Sequence, residues 1–317
     1  MTIHVTADVN PGSTLPLIAA PMTGVSGPDL VIAACRNGVI GSFPTHNAKS
    51  VDELDAWLGR IGASLDGVAG AARVAPNLVV HPSNARLDAD LDRVTEHGID
   101  LVITSVGSPA PVVERLHAAG CEIYADVATL HQAQRAIAAG VDGVVLLSAG
   151  AGGQTGHANP FAFVRAVREW FDGTLVLAGG IADGVALHAA RVLGADLGYM
   201  GTAFIATEES LASVEYRSAL VEATMDDVRL SDAVGGLPAS LLGPWLDRRR
   251  DAAAVVAGDF QQDRLVASPE VWSAGHSVSQ VRGVHDVDTL VRRIRAEYLG
   301  ALDADRRVAL DVLRHPW

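Results

Sequence analysis

Residues 141–157 read VDGVVLLSAGAGGQTGH; after a helical segment residues 174–184 read TLVLAGGIADG, and after a second one residues 195–207 read ADLGYMGTAFIAT. Each piece is a short apolar run that breaks into glycine where a strand should end. The last two breaks, Gly179-Gly180 and Gly201-Thr202, set bare backbone N–H groups ahead of helical segments. A phosphate calls for that arrangement: small residues for close approach, unpaired donors and a positive helix N-terminus. Two such turns in succession, late in a β/α chain, are where a (β/α)8 barrel carries a phosphate site.

Working outward, the same rhythm covers most of the chain. LPLIAAPM (15–22), VIGSF (39–43), VAPNLVV (74–80), DLVITS (100–105) and EIYADV (122–127) precede GVVLLS (143–148), TLVLAG (174–179) and DLGYMG (196–201), eight strands in all. Most are continuous β-branched or leucine runs, as expected for parallel strands covered on both faces. Helical patterns fill the gaps, at 26–37, 51–61 and 86–97 for instance. The fold class is therefore α/β, a (β/α)8 barrel over residues 1–209. A doubly wound open sheet is the alternative, but the GxGxxG fingerprint is missing after the first strand. After Thr207 the alternation stops. Residues 208–225 read as helical, and the Gly/Pro segment VGGLPASLLGPW precedes an Arg/Asp helix in which Arg248, Arg249 and Arg250 make an exposed charged face. Residues 210–280 are expected to form a small helical lid lobe. Residues 281–317 supply a last amphipathic helix, DVDTLVRRIRAEYL, that returns to the barrel, and a tail from Ala304 that frays.

Composition narrows the chemistry. The chain has 317 residues, 49% hydrophobic and 5% aromatic, with 32 glycines and a formal net charge of -13. An acidic surface offers no basic face to nucleic acid or anionic lipid. No segment has the length of a membrane span and the N-terminus lacks the build of a signal peptide, so a cytoplasmic protein is expected. Cys35 and Cys121 read as buried free thiols. Lys49, in HNAKSVDEL, is the only lysine, and a Schiff-base aldolase needs a desolvated lysine at a strand end.

In a barrel the residues just after each strand face the active site. Strand one delivers Ala20, Pro21, Met22 and Thr23, with Met22 a soft apolar wall. Strand three delivers Asn77, strand four Thr104 and Ser105, and strand five Asp126, which serves either the mouth or the cap of the next helix. His97, His117, His131 and His188 sit in or beside helices. His46, His81 and His157 follow strands two, three and six, and His276 comes from the lid. No HxH or HExxH spacing joins them, so no metal site is expected.

Taken together, AAPM, PNLVVH, SAGAGGQTG, LAGGI, YMGTAFIAT and WSAGHSVSQV, spread over residues 15–298, resemble the nitronate monooxygenase (2-nitropropane dioxygenase-like) family of flavin mononucleotide (FMN) barrels. The resemblance implies FMN as cofactor, its phosphate at Gly179, Gly180, Gly201 and Thr202. It implies a ring bordered by Ala20, Pro21, Met22, Asn77, Gly152 and Gly153, with Asp126 counted among the cofactor contacts. The family pattern AGGHxG becomes Ala151-Gly152-Gly153-Gln154-Thr155-Gly156 here, with glutamine in the histidine's place, and Asp126 stands near a strand-five lysine of some members. Glutamine cannot act as a base but can donate hydrogen bonds to a nitro, carbonyl or enolate oxygen. Gln154, His157 and His276 are the candidate catalytic residues. The implied reaction is oxidation of nitronates or related carbon acids with O2. The alternatives are an NAD(P)H-linked reductase of α,β-unsaturated carbonyls or thioesters, and a flavin-free phosphate-sugar isomerase or lyase or a non-catalytic binding barrel. The partner set is a small, bulky substrate with O2 or NAD(P)H, and a homodimer is compatible with it.

Overall fold

A computed structural model of the protein describes residues 14–232, 234, 236–249, 260, 262–263 and 270–314, with 249 and 309–314 described by backbone alone. Eight parallel strands close into a barrel: β1 (Leu17–Ala19), β2 (Ile40–Pro44), β3 (Val74–Val79), β4 (Leu101–Ser105), β5 (Glu122–Val127), β6 (Gly143–Leu147), and, beyond the two-residue β7 (Gly153–Gln154), β8 (Thr174–Ala178) and β9 (Leu197–Met200). β9 pairs with β1 and completes the ring. The open-sheet alternative is thereby excluded.

Side-chain alternation along each strand explains why the runs are apolar throughout. Leu101 and Ile103, Val145 and Leu147, and Val176 and Ala178 fill the barrel interior. Their neighbours Val102, Val144, Leu146, Leu175 and Leu177 pack outward against the helices. Polar caps fix where those helices begin: Ser50 accepts from the Glu53 N–H, Thr129 from Gln132 and Asp183 from Ala186. Each such cap is worth about 1 kcal/mol. Cys35 and Cys121 are buried and free, and burial pushes the Cys35 thiol up to about 12, so neither is a ready nucleophile.

The lobe beyond the barrel differs from the expected helical one. Helix Val214–Glu222 is shorter than the 208–225 expected, and β10 (Val228–Ser231) and β11 (Ala239–Leu242) form an antiparallel sheet that takes in β7. Ala239 pairs with Gln154 and Ser240 with Gly153. The strand ASLL sits inside a Gly/Pro-rich stretch, too short to carry a period of its own. Tyr216 stacks on Trp272 at 5.3 Å, and the Arg248 guanidinium lies 4.0 Å over the Trp272 ring. Arg248 is thus held on an aromatic face, whereas the Arg249 side chain and Arg250 lie outside the described residues. No helix among the described residues is long and apolar enough to cross a membrane.

The final helix runs without interruption from Val287 to Arg314, so the stretch from Ala304 is helical where a frayed tail was expected. It is held on helix Gly184–Leu193: Glu297 Oε2 accepts from the Gly184 N–H at 3.0 Å, and His188 Nε2 lies 2.6 Å from Asp305 Oδ2. Gly184 is what allows the approach, because a Cβ there would collide with the Ile294 carbonyl oxygen and the Tyr298 nitrogen. Both neighbours are backbone and cannot rotate away. Gly184→Ala is therefore expected to destabilise the protein by about 1–3 kcal/mol through overpacking. Chemical denaturation checks this, and a wild-type midpoint would contradict the tight seating of the last helix.

Candidate active site

Period two decides which side chains reach the barrel mouth. Counting inward-facing positions up each strand gives Ala20, Pro44, Asn77, Ser105, Asp126, Leu147, Ala178 and Tyr199, and all of them line one cavity of about 200 Å³. Lid residues Leu237, Leu241, Phe260 and Val271 roof it. Among the described residues neither Arg nor Lys lines the cavity, and Lys49 is exposed elsewhere. Among the described residues no three His, Cys, Asp or Glu side chains gather to hold a metal ion.

The loop after β1 is tied down by one asparagine. Asn47 Nδ2 donates to the carbonyls of Met22 and Ser26 at 2.9 and 2.8 Å, and its Oδ1 accepts from the Gly24 N–H. Thr23 Oγ1 lies 3.0 Å from His46 Nε2. On the neighbouring strands Ser105 Oγ donates to Asn77 Oδ1 at 3.0 Å, leaving the Asn77 Nδ2 group with no protein acceptor among the described residues.

Beyond β8 and β9 the backbone is bare. None of the N–H groups of Gly179, Gly180, Gly201 and Thr202 donates to a described residue. Gly179 and Gly180 have φ of 118° and 74°, in the left-handed region that favours glycine. A Cβ on Gly180 would meet nothing within 4 Å. The helix after β8 is not the donor that the sequence suggests, because it starts at Gly184 and its first amides are taken by Asp183 and Glu297. The helix after β9, Thr202–Ile205, is one turn. The loop amides themselves are the available donors. The Thr202 hydroxyl already accepts from the Gly275 N–H at 3.0 Å, which pins the lid to the β9 loop. Close backbone contact pins it to the β6 loop as well: a Cβ on Gly152 would lie 2.6 Å from the Gly275 nitrogen, and the His276 N–H donates to the Gly150 carbonyl at 2.9 Å.

This roofed mouth has counterparts. The family model described as nitronate monooxygenase matches residues 69–267. The chain belongs to the nitronate monooxygenase family. Among relatives, a putative monooxygenase, Rv1533 of Mycobacterium tuberculosis, is 32% identical over 70% of this chain and 60% of its own length. A nitronate monooxygenase of Paraburkholderia phytofirmans is 28% identical over 71% of this chain and 72% of its own length. The structure of a nitroalkane oxidase from Streptomyces ansochromogenes, 26% identical, superposes with a TM-score of 0.78 over 92% of this chain and 97% of that one.

Within this family framework the three candidate catalytic residues separate. Gln154 lines the cavity from β7. His157 is exposed and lines no part of it, because the chain at Gly156 presses against the Leu147 and Ala128 carbonyls and then turns outward. His276 is exposed too: its backbone crosses the β6 loop while its ring lies on Gly150, outside the cavity. His46, one of four loop histidines that the sequence could not rank, is the one that lines the cavity. Ala20, Pro21, Met22, Asn77, Asp126, Gly152, Gly153, Gly179, Gly180, Gly201 and Thr202 all line it as well. Tyr199 was missed, although counting by twos from Leu197 finds it.

Burial without counter-charge sets the electrostatics. Asp126 Oδ1 and the Tyr199 hydroxyl are shut off from solvent with no hydrogen-bond partner. Burial pushes the Asp126 carboxyl up to about 8. Burial, and then the Asp126 charge, raise the Tyr199 phenol well above its usual range. Burial, helped by the Arg86 guanidinium, pushes the His46 imidazole down to about 4. A histidine depressed on folding costs stability as pH falls from about 6.5, where the unfolded chain takes up its proton, to about 4, where the folded protein follows. His46→Gln should therefore gain on the order of 2–3 kcal/mol relative to wild type between pH 7 and pH 4. Urea midpoints at the two pH values test this, and a difference that does not change with pH would contradict the burial of a neutral His46.

Proposed function

We propose that the protein is an FMN-dependent oxidoreductase that acts on nitronates, with O2 as electron acceptor, in the cytoplasm. The observation that carries the FMN reading is the set of bare amides on Gly179, Gly180, Gly201 and Thr202 beside a glycine-bordered, uncharged cavity. The donor set fits the group: loop amides for the phosphate, and Ala20, Pro21, Met22, Asn77, Gly152 and Gly153 around the ring. With no Arg or Lys among the described lining residues, the phosphate relies on amide dipoles. When bound, FMN supplies two-electron oxidation of the substrate carbon and passes the electrons to O2.

The chain's own residues bind and orient the substrate without deprotonating it. Gln154 donates its amide N–H to a nitro oxygen, which stabilises charge without moving a proton. The lid, residues 210–280 in this reading, excludes water with Leu237, Leu241 and Val271. Among the described residues, burial moves the titratable groups of the cavity toward their neutral forms. Asp126 is protonated up to about 8, His46 takes a proton only near pH 4, and burial raises the phenols of Tyr199 and Tyr216. A carbon acid needs a base, and the place of the family histidine holds Gln154, which takes no proton, while His157 and His276 lie outside the cavity, so the reading favours a substrate that arrives already ionised. This separates a nitronate from a neutral nitroalkane.

Anaerobic mixing with an alkyl nitronate is expected to bleach the flavin, whereas the neutral nitroalkane and NAD(P)H leave it yellow. Bleaching by NAD(P)H with turnover of an enone would favour the reductase alternative and overturn this reading. Gln154→His, which returns a base to the cavity wall, should raise the rate with neutral nitroalkane about 100-fold or more. An unchanged rate would contradict the placement of Gln154 against the substrate.

A further inference from the structure

Asp126 and Tyr199 have no place in the chemistry above, and nothing in the protein satisfies them. Asp126 is the last inward side chain of β5 and Tyr199 that of β9, three places further round the ring, and both line the cavity. Asp126 Oδ1 and the Tyr199 hydroxyl are closed to solvent, and neither has a hydrogen-bond partner. A carboxylate with one oxygen held that way, with no donor and no cation among the described residues, is disfavoured against the neutral acid. The groups facing it cannot lower that cost. β4 contributes Ser105 and β6 Val145 and Leu147, none of which titrates. Among the described residues the titratable groups across the cavity are Tyr199, His46 and Tyr216, and none is cationic at pH 7. The carboxylic acid is the form the site holds.

A carboxylic acid and a phenol are each O–H donors, and Asn77 Nδ2 adds a third unpaired donor from β3. The cavity floor therefore presents hydrogens and asks for acceptors. We propose that Asp126, as a neutral acid, and Tyr199 form a donor pair that holds an acceptor-rich, uncharged ring edge on the floor of the mouth. This rests on the FMN reading, in which that edge is the carbonyl-bearing pyrimidine side of the flavin. It assigns Asp126 the task of a hydrogen-bond donor, a task that a lysine would perform with a charge.

The test is FMN affinity from pH 6 to pH 9 for wild type, Asp126→Asn and Tyr199→Phe. Asparagine keeps the shape and one donor but cannot ionise, so the phosphate titration cancels in the ratio of wild type to Asp126→Asn. The two should bind alike at pH 6, and wild type should be about tenfold weaker than the variant at pH 9, since binding favours the protonated acid and the free group ionises near 8. Tyr199→Phe should weaken binding about three- to tenfold at every pH. An infrared carboxylic-acid C=O band at pH 7, present in wild type and lost in Asp126→Asn, is the readout that does not require flavin. Flavin bound with the same pH dependence in wild type and Asp126→Asn, or a wild type lacking that band, overturns the role of Asp126. A protein that takes up no flavin at any pH overturns the FMN reading on which the pair depends.

Discussion

A ring of eight parallel strands leaves each strand one inward and one outward row of side chains, and the ring can be filled only if both rows are buried. The rest of this protein follows from that constraint. Leu101, Ile103, Val145 and Val176 fill the barrel, and the next inward positions can no longer pack against one another because the ring opens there. Asn77, Ser105, Asp126 and Tyr199 occupy those positions. The site is the place where the inward row runs out of partners.

The lid turns an open mouth into a low-dielectric cavity. Its seat is backbone on backbone, Gly275 against Gly152 and onto the Thr202 hydroxyl, so neither loop carries a side chain in the way. Roofing the mouth, with no cation among the described lining residues, pushes their titratable groups toward the neutral form: acid for Asp126, phenol for Tyr199, imidazole for His46. The described part of the cavity is therefore rich in hydrogen-bond donors. In the proposed reading those donors face a cofactor edge of carbonyls.

The barrel was legible because its strands are long apolar runs, and runs such as GVVLLS need no tertiary information to be read. The lid strands were hidden for the opposite reason: β11 is four residues in a Gly/Pro stretch and pairs with Gly153 and Gln154, a partner defined by the fold and not by its own pattern. The histidines could not be ranked because burial is a long-range property. His46 lies under Thr23, which is 23 residues away in the chain, while His157 leaves the cavity because of the packing at Gly156. The helix N-terminus after β8 was misleading as well, since Glu297, 113 residues on, occupies the Gly184 amide.

The central claim is that unpaired loop amides beyond β8 and β9 grip the phosphate of a flavin. Affinities of the flavin-free protein for FMN and for riboflavin, which differ by that phosphate alone, test it most directly. Several charge-assisted hydrogen bonds predict that FMN binds at least about 100-fold more tightly. Equal affinity for the two would contradict the account.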